Sequence, residues 1–190
     1  MTLQAIYERV HQVFPKVTVA QVTEDANRIT EEFCEESDTL RKSGDLTLTT
    51  AVSYSLPADC LHVFEVIPKD ADGDTLDDEL TYTIKDGTIY FADEYGEVLD
   101  AWPTDVVTLT IRYAYSPTAM ALVTSSPTIA NKWHRAIIAK LLAEYHAEFG
   151  DAIKASLYEK RYLGILYNAK RSAKLAQWKD PDINIDRENF

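Results

Sequence analysis

The first third of the chain has apolar positions that recur at the period of an α-helix. Thr2 is a candidate cap, and a one-sided apolar row follows it up to Pro15, which predicts a helix over residues 2–14. A second helix is predicted to begin at Thr18, because Thr18 and Gln21 form a capping box. Its apolar stripe is Val22, Ala26, Ile29 and Phe33.

From Leu46 the period changes from 3.6 to 2, which is typical of β-strands. Residues 46–56 alternate as one long half-buried strand that ends at Pro57. Polar turns, among them a tight Asp86-Gly87 hairpin, separate the later strands. These strands are predicted over residues 61–67, 79–84, 88–92 and 106–115. Five short antiparallel strands predict a small sandwich or an open barrel.

The helical period returns at Ser126-Pro127, which suit the cap and first position of a helix. Apolar side chains then recur every four residues, at Ile129, Trp133, Ile137, Leu141, Tyr145 and Phe149. Gly150 is expected to end this helix and Asp151 to cap the last one, residues 152–176, so the two should form a hairpin. The last helix has apolar residues on more than one face, which indicates contact with both its own bundle and a neighbouring subunit.

These elements predict an α+β protein with an insertion. Two N-terminal and two C-terminal helices, residues 1–44 and 126–176, form a helical bundle. Residues 45–125 form the inserted antiparallel β domain, and residues 177–190 form an extended C-terminal arm. The arm is either a frayed terminus or a segment that orders on a partner, for example by strand addition.

Charge is distributed unevenly along the chain. The net charge is −12, but residues 45–105 carry 15 acidic and 2 basic side chains, whereas residues 106–190 carry a net charge of +4. Plain solubility explains an acidic middle and a basic end. The same pattern suits subunits that stack head to tail, or a surface that repels DNA.

The sequence predicts neither a membrane span nor a secreted protein. It has no run of 18 apolar residues and no basic segment followed by an apolar run at its start. Cys34 and Cys60 are too few for a disulfide framework, so both are expected to be reduced packing residues in a cytosolic fold.

No motif for catalysis, for a cofactor or for a metal is present. Glycine-rich phosphate loops, nucleophile elbows and zinc-protease motifs are missing, and His134 and His146 lie too far apart on one helix to share a metal. In an EF-hand beginning at Asp70, threonines would occupy the required glycine and glutamate positions. The acidic stretch from Asp70 is therefore read as a hairpin tip. A metal-dependent enzyme using Asp72 and Asp74 stays open as a third hypothesis.

The basic end of the chain supports an alternative, a nucleic-acid-binding accessory protein. Cationic and aromatic side chains alternate there and could hold phosphates and stack on bases. The set comprises Lys154, Lys160, Arg161, Lys170, Arg171 and Lys174 with Tyr158, Tyr162 and Tyr167. A cationic helix face is also typical of a solvated surface, or of one that meets an acidic protein.

Three segments together resemble a known family. They are "YSLPADCLHVFEVI", "NKWHRAIIAKLLAEYHAEFGD" and "IKASLYEKRYLGILYNAKRSAK", preceded by two short helices. The combination, over residues 2–176, resembles the head-to-tail connector (adaptor) proteins of tailed bacteriophages, including the tail tubular type. The resemblance implies a structural virion protein without enzymatic activity, which lies at the head-tail junction and in the host cytoplasm during assembly.

The resemblance also implies partners. Adaptors of this kind form rings, commonly of twelve copies, that bind the portal protein and a nozzle or tail-completion protein. Double-stranded DNA passes through the ring without specific binding, and no membrane is involved. On this sequence the expected portal-binding residues are Tyr167, Lys170, Arg171, Lys174, Trp178, Ile183, Ile185 and Phe190. The expected subunit-interface residues are Tyr158, Tyr162 and Ile165.

Overall fold

A computed structural model describes residues 1–49, 51–76 and 80–177. The chain divides into two compact units. The helical unit comprises Met1–Leu40 and the chain from Pro117 onward, and the β unit comprises Arg41–Ser116. The predicted arm lies outside the described residues, apart from Gln177, which ends the last helix.

The first two helices of the helical unit begin where their caps predict. Helix α1 spans Leu3–His11, and Thr2 accepts a hydrogen bond from the backbone N of Ala5 at 3.3 Å. Helix α2 spans Val19–Ser37, and both bonds of the capping box between Thr18 and Gln21 are present. Its predicted apolar stripe is confirmed, since Val22, Ala26, Ile29 and Phe33 are all fully buried.

The last two helices form the predicted helical hairpin. Helix α3 spans His134–Glu148 and packs along helix α4, Ala152–Gln177. Gly150 takes a φ of 83°, which stops α3, and the carboxylate of Asp151 accepts from the backbone N of Lys154 at 3.1 Å.

The predicted start of the third helix at Ser126-Pro127 is wrong. Residues 117–130 have no helical turn, and a single 3-10 turn at Asn131–Trp133 leads into α3. Tertiary contacts hold this segment in a non-helical conformation. The carbonyl O of Ser125, at the expected helix start, accepts from the backbone N of Leu3 at 2.7 Å. Further back, the Asn27 side chain accepts from the N of Met120 at 2.8 Å and donates to its O at 3.1 Å. These contacts outweigh the local preference of Ser-Pro for a helix start.

The described residues of the β unit form six strands, joined into two three-stranded antiparallel sheets. The strands are β1 Arg41–Thr47, β2 Ser53–Ser55, β3 Cys60–Lys69, β4 Tyr82–Lys85, β5 Thr88–Phe91 and β6 Thr108–Tyr115. The sheet orders are β1-β6-β3 and β2-β5-β4. Ile89 of one sheet packs in the same apolar cluster as Leu109 and Ile111 of the other. The prediction of an α+β fold is confirmed.

The single long strand predicted over residues 46–56 is wrong. Strand β1 ends at Thr47, and β2 begins at Ser53 in the other sheet, so the chain changes sheets between them. A period of 2 shows that a strand has a buried face, but it does not show which sheet the strand joins. The boundary expected between the helical bundle and the β domain, at residues 44 and 45, lies inside β1, because Gly44 pairs with Ile111 of β6.

Two turns of the β unit share one hydrogen-bond pattern that the sequence reading did not find. The carboxylate of Asp70 accepts from the backbone N of Asp72 and of Asp74, both at 2.9 Å. The carboxylate of Asp93 accepts in the same way from Tyr95 and Glu97, at 2.9 and 2.8 Å. The turn that the sequence predicts after Asp70 is present, and Lys69 and Thr75 pair across it as an isolated antiparallel bridge, but β3 and β4 join different sheets and form no hairpin. The predicted hairpin at Asp86-Gly87 is also present, with both residues at positive φ.

Both cysteines are free packing residues, as expected. Cys34 is 1% exposed, and burial raises the pKa of its thiol to about 12. Cys60 packs against the apolar core of the β unit. Across the residues that the structure describes, none of the helices has both the length and the apolarity needed to cross a bilayer.

We predict that His134 makes the helical unit sensitive to acid. Its ring is 3% exposed, and Nε2 donates to the carbonyl O of Ile129 at 2.9 Å. Burial lowers the pKa of His134, so the folded state favours the neutral ring. The stability that the neutral His134 ring gives the folded state is fully present above the pKa of the unfolded state, about 6.5, and is lost as the pH falls below that value.

The expected result is a larger fall in Tm between pH 7.5 and pH 5.5 for the unmodified protein than for His134→Gln, which keeps an N–H donor. His62→Gln, a change at an exposed ring, is the matched control and should keep the full fall. Equal falls for all three proteins would show that His134 is not the source.

Candidate interaction surfaces of the helical unit

The inward face of α4 anchors it to the rest of the helical unit. Tyr162, Leu166, Ala169 and Ala173 are between 0% and 8% exposed and recur at helical spacing. This face packs against α2 and α3, and the ring of Tyr162 meets Phe33 of α2 edge-on, with centroids 6.4 Å apart. Two alanines in this row let the neighbouring helices approach closely.

The outward face of α4 is apolar as well. Five large apolar side chains there are exposed: Ile153 (85%), Leu157 (48%), Leu163 (50%), Tyr167 (67%) and Leu175 (54%). At about 100° per residue they fall within an arc of about 120°, opposite the buried row. The prediction of apolar residues on more than one face of this helix is therefore confirmed. We name these five residues the outward stripe.

Cations share this outward side. Lys160, Arg171 and Lys174 are exposed between the apolar residues of the outward stripe. Lys170 lies at the edge of the stripe and is half-buried, with Nζ 3.2 Å from a carboxylate O of Glu36 on α2. The outward side thus combines apolar contact area with positive charge, a combination that suits an acidic protein partner.

The residues expected at interfaces have different environments. Tyr167, Arg171 and Lys174 are exposed, whereas Lys170, Tyr158 and Ile165 are half-buried. The expectation for Tyr162 is corrected: it is 2% exposed inside its own helical unit, so its ring has no surface to offer a second subunit. Helical spacing alone does not distinguish an inward tyrosine from an outward one. The expected portal contacts Trp178, Ile183, Ile185 and Phe190 lie outside the described residues.

The aromatic residues of α4 bear on the nucleic-acid hypothesis. Tyr158 is stacked on His146, with centroids 5.5 Å apart and planes 6° apart. Because Tyr162 is buried, only Tyr167 of the three exposes most of its side chain. Base stacking needs a free aromatic face, so the row of tyrosines is a smaller platform than the sequence indicates.

A groove runs between α1, α3 and α4, with a volume of about 460 Å³. Its floor includes Ile138, Leu142 and Ile165. Its rim carries four cations, Arg9, Arg135, Lys160 and Arg161. Within the part of the chain that the structure describes, no carboxylate oxygen lies within 4.0 Å of these four groups.

Sequence reasoning missed this groove because three separate helices contribute to it. Its one local signal is Gly164 in the middle of α4, a position that costs helix stability. A Cβ added at Gly164 would meet no atom within 4 Å, so the groove is open there.

The surface of the β unit is strongly acidic, with 15 acidic and 5 basic side chains between residues 41 and 116. A smaller apolar pocket of about 270 Å³ lies in this unit, with Leu80, Phe91 and Val106 in its wall and Asp93, Glu94 and Asp105 beside them. Among the described residues, no group of three or more His, Cys, Asp or Glu side chains is arranged to hold a metal ion.

Comparison with known proteins gives one family. A family model described as SU10 adaptor protein matches residues 1–182. No curated protein matches the chain. The family match covers nearly the whole chain and confirms the resemblance to phage head-to-tail adaptors that its helices and its "LPAD" strand junction predict.

We predict opposite effects from removing two buried tyrosine hydroxyls. The hydroxyl of Tyr145 donates to the carboxylate of Asp25 at 2.6 Å, whereas that of Tyr162 has no hydrogen-bond partner among the described residues. Burial raises the pKa of both phenols. Tyr145→Phe should lower the free energy of unfolding by about 1–2 kcal/mol, because a bond to a charged group is lost.

Tyr162→Phe should leave the free energy of unfolding unchanged or raise it by about 1 kcal/mol, because a desolvated polar atom is removed. Urea unfolding of the two variants, followed by circular dichroism, measures both changes. A clear loss of stability in Tyr162→Phe would contradict the packing described for α4.

Proposed function

The chain belongs to the SU10 adaptor protein family, and we propose that it forms a ring that joins the portal of a phage head to the tail. The observation that carries this proposal is the outward stripe of α4. A helix that is already anchored on one face exposes a second apolar face, which in a monomeric protein would be left in water. A ring of identical subunits, commonly twelve in adaptors of this kind, would cover such faces.

The portal is the proposed partner of the C-terminal part of α4 and of the segment after it. Tyr167, Arg171 and Lys174 are exposed on one side of α4, with Lys170 at its edge. The segment that follows contributes Trp178, Ile183, Ile185 and Phe190 to the proposed contact. A portal surface with acidic groups around an apolar patch would complement this set.

Subunits of the ring are proposed to meet through the half-buried Tyr158 and Ile165 together with the N-terminal residues of the outward stripe, Ile153, Leu157 and Leu163. Tyr158 already carries the guanidinium of Arg161 5.1 Å above its ring. The pair of Tyr158 and Arg161 therefore places an aromatic ring and a positive charge side by side, and both residue types are enriched at protein interfaces.

Double-stranded DNA is proposed to pass through the ring without specific binding. The chain has a net charge of −12, and its acidic side chains are concentrated in the β unit. Acidic walls hold few phosphates, so they would not retain DNA during packaging or genome ejection. The β unit is proposed to contact the tail-side protein, a nozzle or a tail-completion protein, or neighbouring subunits.

The proposed place of action is the head-tail junction of the virion, after assembly in the host cytoplasm. The role requires binding and no chemical reaction. The second candidate function, nucleic-acid binding, is favoured by a single observation, the exposed cations Lys160, Arg171 and Lys174 on one side of α4.

We predict that the protein is recruited in many copies onto portal rings of its own phage. Light scattering of the protein alone, and of its mixture with portal rings, measures the mass gained per ring. The triple variant Lys170→Glu, Arg171→Glu, Lys174→Glu should reduce recruitment at least tenfold, because it reverses the charge of the proposed portal-binding side.

A control variant, Lys16→Glu, Lys69→Glu, Lys85→Glu, changes the net charge equally at other sites and should bind portal rings as the unmodified protein does. Binding of a 30-base-pair duplex at 50 and 200 mM salt tests the second candidate. Salt-sensitive DNA binding that the first variant loses, combined with no recruitment to portal rings, would favour nucleic-acid binding over the adaptor role.

A further inference from the structure

One turn of the β unit displays an aromatic side chain in a fixed position. Tyr95 is 82% exposed at the tip of the turn Asp93–Glu97. The Asp93 carboxylate accepts from the backbone N of Tyr95 and of Glu97. The backbone N of Asp93 also donates to the O of Glu97 at 2.9 Å, and its backbone O accepts from the N of Gly96 at 3.0 Å. Gly96 takes a φ of 81°, which the turn needs. The backbone of this turn is therefore ordered before any partner binds.

The second turn with this geometry shows that the turn does not need its tyrosine. Asp70 makes the same carboxylate bonds, and Gly73 stands where Gly96 stands. The residue equivalent to Tyr95 is Asp72, a polar side chain. The turn therefore folds without an aromatic residue at its tip, and the exposed ring of Tyr95 is available to contact a partner.

The chemistry of the Tyr95 turn complements the groove between α1, α3 and α4. Glu94 and Glu97 flank Tyr95 closely in the sequence and are exposed, so the turn presents an aromatic group with acidic neighbours. The groove has an apolar floor, with four rim cations that have no carboxylate partner among the described residues. Its volume of about 460 Å³ lies within the range of roughly 300–1,000 Å³ that accepts ligand-sized groups.

We propose that the Tyr95 turn of one copy docks in this groove of a second copy. The ring of Tyr95 lies on the floor formed by Ile138, Leu142 and Ile165, and Glu94 and Glu97 face the rim cations. This inference rests on the proposed assembly into a ring and names a further contact between its neighbouring copies. The two surfaces differ, so each copy gives one turn and receives one, and such head-to-tail contacts form a ring when the rotation between successive copies closes.

A single contact of this kind is small, since stable interfaces bury about 800 Å² on each partner. One pair of copies would therefore dissociate readily. In a closed ring each copy is held by two contacts, and copies bound to a portal are held close together, which raises their effective concentration. The rigid turn lowers the entropy lost on binding, because its backbone is already ordered.

The test uses two charge-reversed variants of the whole chain. Variant A carries Glu94→Lys and Glu97→Lys, and variant B carries Arg135→Glu and Arg161→Glu. Each alone should lose assembly at least tenfold, because like charges then face each other. An equimolar mixture should recover it, since the turn of A fits the groove of B and the turn of B fits the groove of A. Light scattering, with and without portal rings, measures assembly.

Tyr95→Asp copies the second turn, so it should fold normally and still lose assembly. Ala71→Asp adds a charge to the second turn and should assemble like the unmodified protein. Circular dichroism and Tm establish that each variant is folded. If the unmodified protein assembles and variants A and B do so equally well, or if their mixture does not recover, the docking inference is overturned while the adaptor role stands. If the unmodified protein neither self-associates nor joins portal rings, both are overturned.

Discussion

The burial of one face of α4 is the constraint on which the other surfaces of the helical unit depend. Tyr162, Leu166, Ala169 and Ala173 fix the rotation of a 26-residue helix, about 39 Å long, against α2 and α3. Once that rotation is fixed, the outward stripe must face away from the core. The same packing sets Gly164 and Arg161 beside α3, where they complete the groove. A substitution that turned α4 by one residue would therefore move every proposed contact at once.

The two units have different electrostatic roles. Over residues 1–40 and 117–177, twelve acidic and twelve basic side chains balance, whereas the β unit has an excess of ten acidic ones. Many charged side chains of the helical unit pair with each other. The guanidinium of Arg28, for example, donates to the carboxylates of Glu144 at 2.5 Å and Glu32 at 2.7 Å. These bonds, chiefly the one to Glu144, raise the pKa of Arg28. Among the described residues, the rim cations Arg9, Arg135, Lys160 and Arg161 form no ion pair with a carboxylate. Their charge is complementary to that of the acidic β unit.

The sequence predicts those features that depend on neighbouring residues. Thr18 caps the start of α2, and Gly150 follows the end of α3, because caps and positive φ act within a few residues. The start of α3, the change of sheet after Thr47, the burial of Tyr162 and the groove all depend on distant contacts, such as that of Asn27 with Met120. Only some of the expected portal and interface residues lie on the exposed side of α4. A helical pattern shows which residues share a face, but it does not show what covers that face.

The Asp70 and Asp93 turns of the β unit have the same backbone geometry but different residues at the tip, where a partner would make contact. The tip can therefore change without any cost to the fold. Under the proposed docking, two related phages infecting one cell would keep their adaptors from exchanging subunits by altering only position 95, its acidic neighbours and the groove that receives them. Discrimination between partners would evolve through mismatched charge and shape, while the scaffold of both proteins stayed the same.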